Sequence, residues 1–246
     1  MDNHNCEVKP PYKAKKKIEN EAYEILLHYR PDYLNDLSTN IDPYDFIFEF
    51  LPEYIRKTEN RQLDVDFDKL NEDLAGYTQY DKVVLNRGKY DSENVIDQRV
   101  MNFAIFHEAY HALFHLEYLM KNSQSLQTQL HEQDSKLEKI TTLRRDLHSL
   151  KNTNLLCTQA NYFAGCFTIP RDRLIMALLE VFGKCCISME DFVCFNRGIV
   201  EIAKKIQGLF NMNLEPIKIA LEQYGLVKSD EEGLDVEEYI FMNRVR

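Results

Sequence analysis

The stretch from Val95 to Met120 constrains this chain more than any other. Val100, Phe103, Ala104, His107, His111, Phe114 and Tyr118 recur at helical spacing, which predicts one long helix. Inside it lies His107-Glu108-Ala109-Tyr110-His111, two histidines four residues apart with a glutamate after the first. Residues at i and i+4 project from one helix face, so both imidazoles can reach a single ion. Zinc accepts imidazole nitrogen, prefers tetrahedral geometry and keeps one position open in catalytic sites. Glu108 is placed as a base that takes a proton from water and passes it to a leaving amine. The bland alternative is a helix with two ordinary histidines and a solvated glutamate. Phe103 and Phe114, packed near the histidine face, weigh against it.

The pentad leaves the third ligand open. A metzincin needs a glycine at position 114 and a histidine at 117; this chain has Phe114 and Glu117 on a continuing helix, which excludes that class. His115 sits eight residues after His107, too far along the axis to share the ion, and reads as a helix-end hydrogen-bonding group. The remaining option is a ligand from a second helix.

The rest of the chain reads as mostly helical. Lys13 to Tyr29 is an amphipathic helix ended by Pro31, and its Lys13–Lys17 cluster is a solvated first turn or a basic contact surface. Tyr44 to Tyr54 is a short helix opened by Asp42-Pro43. Leu63 to Leu70 is a strand or a short helix entry. Lys82 to Asn86 is a strand closed by an Arg87-Gly88 turn. In 121–152, Leu126, Leu130, Leu137, Ile140, Leu143, Leu147 and Leu150 form a stripe that predicts a long helix or helical hairpin; Arg144 interrupts it as a coiled-coil seam. Asn154 to Ile169 is a helix stopped by Pro170, Arg171 to Phe182 another ending near Gly183, and Ser188 to Val227 continues as helices.

Composition bounds the setting. At 246 residues, the chain is long enough for one well-buried core plus a smaller unit. A formal net charge of -10 argues against non-specific adhesion to nucleic acid or anionic membrane. Met1 to Pro11 is polar and lacks the apolar segment of a signal peptide, and no apolar run approaches the roughly 20 residues of a membrane span. The six cysteines show no CxxC pair, so the expectation is reduced thiols in a cytoplasmic protein.

Two motifs together resemble a known family. Met101-Asn-Phe-Ala-Ile-Phe-His-Glu-Ala-Tyr-His-Ala-Leu-Phe-His115 resembles the HExxH helix of the ImmA/IrrE metallo-endopeptidases. Gln159-Ala-Asn-Tyr-Phe-Ala-Gly-Cys-Phe-Thr-Ile-Pro170 resembles that family's Ala-Asn-x-Phe-Ala helix. Lys13 to Leu27 is similar to its N-terminal helix, and Asp81 to Asn86 falls where an active-site strand is expected. The resemblance covers roughly residues 12–180 and implies a gluzincin-like zinc site. The family's third ligand is a glutamate three residues before the alanine of the second motif; that position here is Cys157. A thiolate is a competent zinc ligand. Cys157 is therefore a ligand or an ordinary buried thiol, with Glu138 and His148 as fallback ligands. Asn161, four residues on, takes the place of the partner that orients the first histidine.

The resemblance thus implies an α+β fold, predominantly helical, with a zincin-like core, a small sheet, a helical insert at 121–152 and a helical C-terminal tail. A flexible tail at 1–12, a metallopeptidase domain at 13–187 and a helical region at 188–246 are the expected divisions. The implied activity is zinc-dependent cleavage of a regulatory protein such as a helix-turn-helix repressor, with the Lys82–Asn86 strand receiving substrate at its edge. The competing reading is a non-proteolytic binding protein on the same scaffold, favoured by cysteine in place of glutamate. Ala203 to Val227 resembles the helix-turn-helix-like tail of the family, but Glu215 to Tyr224 carries only Lys218 as a base, which favours a structural helix pair over DNA reading.

Overall fold

The computed structural model describes residues 12–72, 74–79, 81–118, 141–143 (backbone alone), 155–182 and 199–226. The chain is α+β, predominantly helical with a small sheet. Helix α1 spans Lys15–Tyr29 and α2 Leu51–Glu59, the latter preceded by a short α turn at Pro43–Asp45 and a π-helical stretch at Phe46–Phe50. Three strands follow, β1 (Asp64–Asp68), β2 (Leu74–Gln79) and β3 (Lys82–Asn86). Then come α3 (Val95–Phe114), β4 (Thr141–Leu143), α4 (Leu155–Thr168), α5 (Arg171–Phe182), α6 (Ile199–Ile206) and α7 (Leu214–Gln223).

The sheet has four strands in the order β1-β3-β2-β4. β3 pairs parallel with β1 and antiparallel with β2, so both its edges are occupied. Val83, Val84 and Leu85 are buried, as an interior strand requires. β1 instead alternates, with Asp64, Asp66 and Asp68 exposed and Val65 and Phe67 half-buried, so only one of its faces packs. Of the two readings of Leu63–Leu70, strand or helix entry, the strand holds, over Asp64–Asp68. The expectation that substrate adds to the edge of Lys82–Asn86 is overturned, because that strand lies between β1 and β2.

Three further local readings change. Arg87-Gly88 opens a single helical turn at Arg87–Tyr90, with Asn86 Oδ1 accepting from the Gly88 amide at 2.9 Å. β2 had no counterpart in the sequence reading. Gly76 within it meets its neighbours closely: a Cβ there would lie 2.9 Å from the Val84 carbonyl oxygen and 3.5 Å from Glu108 Cγ. Thr141–Leu143, part of the expected helical insert, is a strand paired antiparallel with β2. The rest of that insert lies outside the described residues, as do the 1–11 tail, 183–198 and 227–246.

The chain divides into two compact units, Met1–Glu19 with Pro43–Ala164, and Asn20–Asp42 with Gly165–Arg246. The first holds the sheet and α3. Asn94 caps α3, its Oδ1 accepting from the Ile96 amide at 2.9 Å. From Met101 to Leu113 every residue but Phe103 is buried, so α3 is a core helix rather than an amphipathic one. The helix breaks at His115 and resumes at 116–118, which corrects the single run expected to Met120.

The second unit is pinned by Arg173, which is fully buried. Its guanidinium donates to the carbonyls of Tyr33, Asp36, Leu37, Thr39 and Leu209 and stacks 3.8 Å over the Tyr33 ring. α6 and α7 belong to this unit, and Lys218 is tied to Glu215 at 2.8 Å. Among the described residues no helix is long and apolar enough to cross a membrane.

Candidate metal centre

His107 and His111 lie one turn apart on α3, with their Nε2 atoms 3.1 Å from each other. Cys157, near the start of α4, brings its sulfur to the same point. Ligand atoms of His107, His111 and Cys157 all fall within 4.8 Å of one another. Both histidines are buried and the cysteine is half-buried. The group could hold a metal ion.

Each histidine has a partner at its Nδ1. His107 Nδ1 lies 2.7 Å from Asn161 Oδ1 on α4. An amide oxygen only accepts, so His107 donates from Nδ1 and leaves a bare lone pair on Nε2, facing the cluster. His111 Nδ1 lies 2.7 Å from His115 Nδ1. Here the expected helix-end hydrogen bond of His115 exists, but its partner is one of the candidate ligands.

Glu108 is fully buried beside the cluster. The Thr78 hydroxyl on β2 lies 2.7 Å from Glu108 Oε2 and 3.1 Å from the Glu108 carbonyl oxygen, and its single proton is shared between them. Gly76 stands on the same face of β2 as Thr78, two residues back, and its missing side chain lets the strand approach Glu108.

Burial sets the protonation of the group. It pushes His107 down to about 4, against a weaker opposing pull from the Asn161 hydrogen bond. His111 falls well below its ordinary value through burial, then through neighbouring His107 and His115. His115 drops to about 3 through burial and then Lys13, whose ammonium sits 3.6 Å over the Phe114 ring. The imidazoles are therefore neutral near pH 7, as metal ligation demands. Burial and then the Glu108 charge push the Cys157 thiol up to about 12, so this sulfur carries a proton until a cation displaces it.

The donor set fits a thiophilic divalent ion: two neutral imidazole nitrogens and one thiol, with three ligands leaving a tetrahedral position open. All of the site residues expected from the sequence, His107, Glu108, His111, Cys157 and Asn161, come together. Glu138 and His148 lie outside the described residues. Thr78, Gly76 and the His111 contact of His115 were not anticipated. Only the spacing of His115, four residues after His111, hinted at its contact.

No family model, curated protein or solved structure matches the chain.

Proposed function

We propose that the chain is a cytoplasmic zinc metallo-endopeptidase of the ImmA/IrrE type, cleaving a regulatory protein such as a helix-turn-helix repressor. The observation that carries this reading is the convergence of His107, His111 and Cys157 within 4.8 Å, with Glu108 buried alongside. A zinc ion held there would supply Lewis-acid chemistry. His107 and His111 would bind it through Nε2, with the Asn161 amide oxygen holding the His107 ring. Cys157 would bind as the thiolate, its proton released to solvent. Glu108 accepts the proton of the attacking water on its carboxylate and returns it to the leaving amine. Thr78 holds that carboxylate in place.

A second reading has a specific observation behind it. A Cys157 thiolate would donate more charge to a zinc ion than the glutamate of the resembling family, and would so weaken the Lewis-acid chemistry the ion could supply. That favours a zinc-containing regulatory or binding protein without peptidase activity. Glu108→Gln separates the two. For a peptidase, this variant keeps zinc, captures the cognate regulatory protein and no longer cuts it. Undiminished cleavage by the variant sinks the peptidase mechanism, and absence of cleavage by both proteins with intact capture supports the binding reading.

A further inference from the structure

Helix α3 stops at Phe114, and His115 caps it with φ -113 and its amide bonded to the His111 carbonyl at 3.1 Å. Four residues after His111, His115 lies on the same face, so the two rings can meet. Its Nδ1 lies 2.7 Å from His111 Nδ1. The ring is completely buried and meets Tyr110 edge-on, with centroids 5.0 Å apart. Its Nε2 has no hydrogen-bond partner among the described residues.

Two imidazole nitrogens at this distance need one proton between them. A His111 that gives its Nε2 lone pair to a metal carries its only proton on Nδ1, pointing at His115. His115 must then present a bare Nδ1. We propose that His115 is a positioning residue of the metal centre, accepting from His111 Nδ1–H and so aiming His111 Nε2 at the ion. The inference rests on the metal reading above. It makes the two ligands alike, each held from behind across 2.7 Å, His107 by Asn161 and His111 by His115.

Charge explains why a neutral acceptor suits this position. A divalent cation with the Cys157 thiolate and the Glu108 carboxylate sums to zero. A carboxylate at 115 would have to be desolvated completely, which is costly even beside the Lys13 charge. An imidazole orients His111 without adding one. It also fills the space beside Tyr110, which a small polar side chain would leave open.

The test uses the full chain, stripped of metal and titrated with zinc against a chelator, with cobalt(II) absorption as the report on ligand geometry. His115→Phe keeps the ring packing and removes the acceptor, and zinc affinity is expected to fall about 10–100-fold. His115→Gln restores an acceptor, and affinity is expected to return to within about threefold of wild type with the wild-type cobalt spectrum. Equal zinc affinity of wild type and His115→Phe overturns this inference alone, as does His115→Gln behaving like the phenylalanine variant. A wild-type chain that takes up no zinc overturns the metal reading and this inference with it. Should the phenylalanine variant not fold, nitrogen-15 spectra of zinc-loaded wild type decide. A proton on His111 Nδ1 and none on His115 Nδ1 is expected, and the reverse contradicts the proposal.

Discussion

The hydroxyl of Thr78 donates to the carboxylate of Glu108 across 2.7 Å, joining an interior sheet strand to the helix that carries both histidines. Burying a carboxylate without such a partner is expensive. Thr78→Val keeps the shape and removes the donor, and is expected to destabilise the fold by about 1–3 kcal/mol. Thr78→Ser keeps the hydroxyl and is expected to cost less than the valine variant. Urea unfolding of the three proteins checks this; equal midpoints for valine and serine would mean that packing, not the hydrogen bond, matters.

Stability of the metal-free protein should fall on the acid side. His107 is held at about 4 against an ordinary 6.5, so between these values the unfolded chain binds more protons than the folded one. Stability therefore drops as pH falls through that window, on the order of 3 kcal/mol from His107 alone. On the alkaline side, Cys157 is raised from 9.0 to about 12. There the folded chain keeps a proton that the unfolded chain releases, so stability drops again as pH rises from 9. Urea midpoints of the stripped protein across pH should form a plateau from about 6.5 to 9. A midpoint unchanged between pH 6.5 and 4 contradicts the burial of these groups.

Metal uptake should expel one proton, and Cys157 is its source. Within the plateau the candidate histidine ligands are already neutral, while the thiol is protonated. The logarithm of zinc affinity should then rise by about one for each pH unit. In Cys157→Ala the dependence should vanish and affinity should fall. Calorimetric titration in buffers of different ionisation enthalpy counts the protons directly; a wild-type count near zero contradicts a thiolate ligand.

These groups also show what the sequence made legible. His107, Glu108 and His111 are readable because helical spacing alone puts them on one stretch of one helix. Cys157 and Asn161 came only through a resemblance, since nothing local ties α4 to α3. Thr78 and Gly76 were invisible for a physical reason. Leu-Ala-Gly-Tyr-Thr-Gln has little β-branched character, and β2 owes its conformation to pairing with β3 and packing on Glu108. By contrast Val-Val-Leu marks β3, and Pro170 marks the start of α5, whose Arg171–Phe182 bounds agree with the reading. Leu143 misled: it fell at helical spacing in the leucine stripe, yet it pairs with Leu74 across strands. Such non-local pairing leaves no periodic trace.

Arg173 offers a test outside the metal site. Its guanidinium collects carbonyls from Tyr33, Asp36, Leu37, Thr39 and Leu209. Only a planar fork serves several acceptors at once. Arg173→Met is expected to cost about 3–5 kcal/mol, because it strands buried carbonyls, and Arg173→Lys to recover little of this. Thermal unfolding of both variants checks the claim, and a lysine variant as stable as wild type refutes it.

His107, His111 and Cys157 are placed to share one metal ion. Native mass spectrometry of the purified full chain, beside His111→Ala and Cys157→Ala, tests it most directly. One zinc per wild-type chain is expected, with none retained by His111→Ala and weakened retention by Cys157→Ala. A folded wild-type chain that binds no zinc, or a Cys157→Ala chain that binds it as tightly as wild type, contradicts the account.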